Sequence, residues 1–114
     1  MTMLDVEHQR HAEERGAILR TLKEDFQREM TTVRTLLGAL DAQAVTLSVA
    51  GITFHLKLLE SSGYVRLTRA RDLPGYRRDR WMEPKPDVIV GATLTPAGLQ
   101  LLDGLVAEDP LIKF

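Results

Sequence analysis

The chain contains no cysteine, which excludes disulfides and thiolate metal sites. Its three histidines, His8, His11 and His55, are scattered. His8 and His11 share a helical face at i, i+3 but have no carboxylate-backed third ligand, so no metal or other cofactor is expected. No apolar run approaches the length needed to cross a bilayer. The first residues, MTMLDVEHQRHAEERG, are acidic and helix-prone and lack the apolar core of a signal peptide. A cytoplasmic protein without a membrane partner is the expectation. There is no serine elbow and no phosphate-cradling glycine loop, and the paired carboxylates Glu13 and Glu14 lie on a solvated helix. No enzymatic activity is expected.

What is present fits one soluble domain over residues 1–114, with 44% hydrophobic and 27% charged residues. The formal net charge of −1 is unevenly spread. Residues 64–86 carry seven basic and three acidic groups, a local +4, while the flanks are net negative. Concentrated positive charge of this kind is the footprint expected of phosphate contact, although a solvated loop that happens to be rich in arginine would look the same.

The pattern divides into a helical lead (1–16), a core (17–110) and a long hairpin tip (72–87). A first helix is predicted from Asp5 to Phe26, with Ile18, Leu19, Leu22 and Phe26 at helical spacing and Gly16 weakening its middle. The lead has few large apolar residues, so it is either a solvated extension or an arm that packs in an oligomer. Thr31 is placed as the cap of a second helix whose buried stripe is Val33, Leu36, Leu37 and Leu40. Residues 41–46 form a turn, and Ser48 caps a third helix. At about 100° per residue, Val49, Ile52, Leu56 and Leu59 form its buried stripe, and Gly63 supplies the left-handed end. Phe54 falls on the outward face with Leu58 at its flank, and His55 sits at the edge of the stripe as a hydrogen-bonded structural histidine. Alternation through Arg71 predicts a strand, and residues 88–94 a second, more buried one. Thr95-Pro96 opens a last helix filled by Leu99, Leu101, Leu102, Leu105 and Val106 and ended by Asp109-Pro110.

This order, α-α-α-β-β-α, is mainly α with a β-hairpin wing. The runs TTVRTLLGAL, ITFHLKLLESSGYV, VRLTR and LTPAGLQLL resemble the winged helix-turn-helix superfamily, including small bacterial regulators of the MarR, ArsR and PadR kind. The acidic lead joined to RGAILRTLKEDF also resembles small winged-helix proteins of Mu-like prophages. The resemblance implies a transcription regulator of bacterial or phage origin that binds double-stranded DNA, commonly as a homodimer.

Under that reading Thr53 and Lys57 enter the major groove, while Arg69, Arg71, Arg77, Arg78 and Arg80 hold phosphates. DNA-binding members commonly place polar residues where this chain has Phe54 and Leu58. Phenylalanine cannot make the bidentate hydrogen bonds that discriminate bases. The alternative is therefore a protein-protein interaction module that docks a partner on Phe54 and Leu58. Trp81 and Tyr76, interleaved with arginines in YRRDRW, suit either nucleic-acid stacking or anchoring of the wing on the body.

Overall fold

A computed structural model describes residues 3–25, 30–77 and 84–114, with side chains from residue 5 onward. It contains four helices and one small sheet: α1 (Met3–Glu24), β1 (Thr31–Thr32), α2 (Val33–Ala42), α3 (Val49–Ser61), β2 (Val65–Arg69), β3 (Ile89–Leu94) and α4 (Pro96–Leu102). A 3-10 turn, Ala70–Asp72, follows β2.

Local chemistry accounts for most of the element ends. Ser48 Oγ accepts the Gly51 amide at 2.9 Å, and Thr95 Oγ1 accepts that of Gly98 at 3.1 Å, each satisfying one orphan donor of a first helical turn. At the other end of α3, Gly63 takes φ 82°. There Tyr64 N–H reaches Leu59 O at 3.0 Å and Gly63 N–H reaches Glu60 O at 2.9 Å, the paired closure that a left-handed residue allows.

The core is built from Ile18, Leu19 and Leu22 of α1, Leu36 and Leu40 of α2, and Ile52, Leu56 and Leu59 of α3, all fully buried. The sheet covers it with Val65, Leu67, Ile89, Ala92 and Leu94. Strand order is β1-β3-β2, antiparallel throughout. Val65 stands opposite Leu94, and the register slips between Thr68 and Arg69.

Several boundaries differ from the sequence reading. A third strand, β1, stands between α1 and α2, so the order is α-β-α-α-β-β-α. Thr31 belongs to it, paired with Ala92, and Thr32 caps α2 by accepting Thr35 N–H at 3.1 Å. Either threonine can cap, and the sheet pairing decides between them. β2 stops at Arg69 because the Asp72 carboxylate takes the Arg69 amide at 2.9 Å, turning the chain into the 3-10 segment before Arg71. Val49 is 64% exposed, since it is the first residue of α3 and projects past the core. His55, 3% exposed, takes its place on the stripe. The last helix ends at Leu102, where Gly104 at φ 71° turns the chain. Leu105 and Val106 lie beyond it at 72% and 46% exposure. Phe26, Arg78, Arg80 and Trp81 fall outside the described residues.

Gly16 does not interrupt α1. An added Cβ there would stand 2.0 Å from the Lys113 carbonyl oxygen, so glycine is what allows the C-terminal segment to cross the helix. That segment is tied down at several points. Arg15, 5% exposed, donates from Nη1 to Leu111 O at 2.9 Å, Lys113 N–H donates to Ala12 O at 3.0 Å, and Ile112 is buried. Asp109 accepts from Tyr64 Oη at 2.8 Å and from the Leu111 amide at 2.9 Å. The C-terminal segment thus covers the face of α1 that carries Ala12, Arg15 and Gly16, while residues 5–10 stay exposed.

Candidate functional site

The α2–turn–α3 unit presents the outward face of α3. The geometry follows from the buried stripe. With Ile52, His55, Leu56 and Leu59 turned inward, helical periodicity sends Ala50, Phe54 and Lys57 outward. Phe54 is 57% exposed, Lys57 is exposed, and Thr53 and Leu58 are half-buried. Lys57 has no ion-pair partner among the described residues, and neither has Arg66, which projects from β2.

The arginines expected to hold phosphates divide by what they touch. Arg69 makes a two-pronged pair with Glu60 of α3, Nη1 to Oε2 at 3.1 Å and Nη2 to Oε1 at 3.0 Å. The hydrogen bond from Arg69 holds the Glu60 carboxyl below its usual range, and the same bond pushes Arg69 up. This pair fastens α3 to β2 and spends the Arg69 charge. Arg71 is paired with Asp87 across the base of the hairpin. Arg77 is exposed, while Arg78 and Arg80 lie outside the described residues. Thr53 and Lys57 therefore share one flank of α3 at i, i+4, and Arg66 is exposed on β2. Arg69 is neutralised by Glu60 of α3, and Arg71 is taken up by Asp87.

The opposite flank of α3 forms one wall of a groove of about 1100 Å³. The other walls are α1, the turn leading into α3, and the C-terminal segment. His55 stands on its edge, with Nε2–H donating to Glu14 Oε1 at 3.2 Å. Its ring meets His11 edge-on at a centroid distance of 5.5 Å and Phe54 at 5.8 Å. Burial pushes the imidazole below its ordinary value. The Glu14 hydrogen bond opposes this, and the positive potential of Arg15 and of a charged His11 assists it. The structural role expected of His55 agrees with this placement.

Sequence reasoning missed this groove. Its walls come from four separated segments, and the one local signal was Gly16, an isolated glycine inside a helical pattern that marks a close backbone approach. Among the described residues no group of His, Asp and Glu is placed to hold a metal ion, and no helix is long and apolar enough to cross a membrane. No protein-family model matches the chain, and neither the curated proteins nor the solved structures yield a match.

Proposed function

We propose that this chain is a winged-helix DNA-binding protein that acts as a transcription regulator. The observation that carries the reading is the order of its elements. A helix–turn–helix, α2 and α3, is followed directly by the β2–β3 hairpin, and β1 closes the sheet on the far edge of β3. In such domains the second helix of the pair enters the major groove while flanking groups grip the backbone. Here Thr53 and Lys57 are the groove-facing polar side chains. Lys57, Arg66 and the hairpin arginines supply phosphate contacts.

The test is a salt titration of binding to duplex DNA of arbitrary sequence. Affinity is expected to fall steeply as salt rises, and Lys57→Ala and Arg66→Ala should each flatten the slope by about one. Absence of any binding at about 50 mM salt, where phosphate contacts are strong, would overturn the reading. A second reading, a protein-interaction module, is favoured by the 57% exposure of Phe54 beside Leu58. Under it Phe54→Ser with Leu58→Ser abolishes partner association, because a few clustered apolar anchors dominate such interfaces. Under the first reading the same double variant leaves general DNA affinity nearly unchanged.

A further inference from the structure

Three features of the groove between α1, α3 and the C-terminal segment remain open to a ligand once the contacts of the fold are made. The first is charge. Arg10, Arg20 and Lys113 line it without an ion-pair partner among the described residues, whereas Glu14, one of its two acidic side chains, is turned to His55. The second is the start of α3. Ser48 takes the Gly51 amide on its hydroxyl and the Ile52 amide on its carbonyl. The amides of Val49 and Ala50, the first two residues of the helix, have no intrahelical acceptor, and Ser48, Ala50 and Gly51 bring this positive end to the groove wall. The third is His55. It lines the groove at 3% exposure, and its Nδ1 has no hydrogen-bond partner, an uncommon state for a buried polar atom.

The walls between the charges are apolar, formed by Ala17, Leu47, Phe54 and Phe114. Gln43 Nε2 donates to Thr21 Oγ1 at 3.0 Å, which sets the Arg20 end of α1 beside the turn that leads into α3. Arg10 stands ten residues earlier, about 15 Å along the helix at 1.5 Å per residue, so one compact anion cannot bridge both. A polyphosphate is disfavoured by Glu13 and Glu14 on the wall. We propose that the groove binds an amphipathic anion, a carboxylate or phosphate monoester on a short apolar chain, with its head between Arg20 and the first turn of α3 and its tail along Phe54 and Phe114.

This inference does not depend on the DNA-binding reading, and its test uses no DNA. Isotope-labelled full-length chain is titrated with octanoate, octyl phosphate, octanol, octylammonium and inorganic phosphate below the concentrations at which the amphiphiles aggregate. Octanoate and octyl phosphate separate the two head groups. One or both should bind and shift the Val49, Ala50 and His55 resonances. Octanol, octylammonium and inorganic phosphate should bind at least about tenfold more weakly. Arg20→Glu should weaken the anions by about tenfold or more, while Arg34→Glu, an exposed position on α2, should not. Should Arg20→Glu lose its helical circular dichroism, Arg20→Gln takes its place. Equal binding of all the octyl probes would make the groove a mere apolar cleft. Inorganic phosphate binding as well as octyl phosphate, no binding at millimolar concentration, or an Arg34→Glu loss equal to that of Arg20→Glu would each overturn the proposal.

Discussion

Gly16→Ala and Gly38→Ala are the same chemical change in two helices, and the fold assigns them opposite signs. Both glycines lie inside helices, where alanine is favoured by about 1 kcal/mol. Around Gly38, on the exposed face of α2, an added Cβ meets nothing within 4 Å, so that gain should appear in full. At Gly16 the Cβ would lie 2.0 Å from the Lys113 carbonyl oxygen and 2.8 Å from its carbon. Both are backbone atoms, and they can retreat only by moving the whole segment. Full release would give up the charged bond from Arg15 to Leu111 O, worth about 1.5–3 kcal/mol. It would also give up the Lys113–Ala12 bond, about 0.5–1.5 kcal/mol, and the burial of Ile112, about 1.5–3 kcal/mol.

A segment that shifts rather than detaches keeps part of this, so Gly16→Ala should destabilise by about 2–4 kcal/mol after the helix gain of about 1 kcal/mol is subtracted. Urea unfolding read by circular dichroism measures both variants, with an unchanged m-value required for the comparison. A Gly16→Ala midpoint at or above that of the unsubstituted chain, with Gly38→Ala stabilising as expected, would refute the crossing of the C-terminal segment over α1.

Burial holds His55 below its ordinary value of 6.5, so the unfolded chain binds its proton more readily. Stability should be flat above about pH 6.5 and fall as the pH drops below it. His55→Gln should remove that slope in urea midpoints taken between pH 7.5 and 5.5, about the histidine range, and an unaltered slope would dismiss the buried placement. Glu60→Gln frees Arg69 from its ionic partner. Under the DNA-binding reading it should raise affinity for any duplex and steepen the salt dependence by about one, whereas weaker binding would mean that the pair positions α3 and nothing more. The exposed Leu105, Val106 and Val6 motivate a two-fold dimer through the lead helix and the segment that follows α4. Sedimentation should show twice the chain mass at micromolar concentration, reduced to the monomer by Leu105→Ser with Val106→Ser. A monomer at the start would sink that association.

What could be read from the sequence is what short-range chemistry decides. Ser48, Gly63 and Thr95-Pro96 act within four residues of themselves, so the ends of α3 and the start of α4 were visible in the string. The buried stripe of α3 was visible too, apart from Val49, because periodicity does not say how far the core extends under the first turn. β1 was invisible. It is two residues long, and only its pairing with β3, some sixty residues away, makes it a strand. The charge count over residues 64–86 was correct as arithmetic and incomplete as electrostatics. Arg69 is answered by Glu60, which precedes that window, and Arg71 by Asp87, which follows it.

The DNA-binding reading and the proposed groove ligand meet at the first turn of α3, and that meeting can be measured. In a helix-turn-helix complex the N-terminal end of the second helix lies against the DNA, so a backbone phosphate there and the anionic head proposed for the groove would compete for the Val49 and Ala50 amides, which only one anion can occupy. Phe54 adds a second conflict, since a tail packed along it would cover part of the outward face that approaches DNA. The coupling between the two ligands should therefore be negative, and thermodynamic linkage requires it to be reciprocal. Saturating octanoate should raise the DNA dissociation constant by a factor of about 5–150, and saturating DNA should raise that of octanoate by the same factor. Arg20→Glu should abolish the effect of octanoate on DNA while leaving DNA binding itself in place. If octanoate and DNA each bind and neither alters the other's affinity, the head does not sit at the first turn of α3, whichever function the rest of the helix serves.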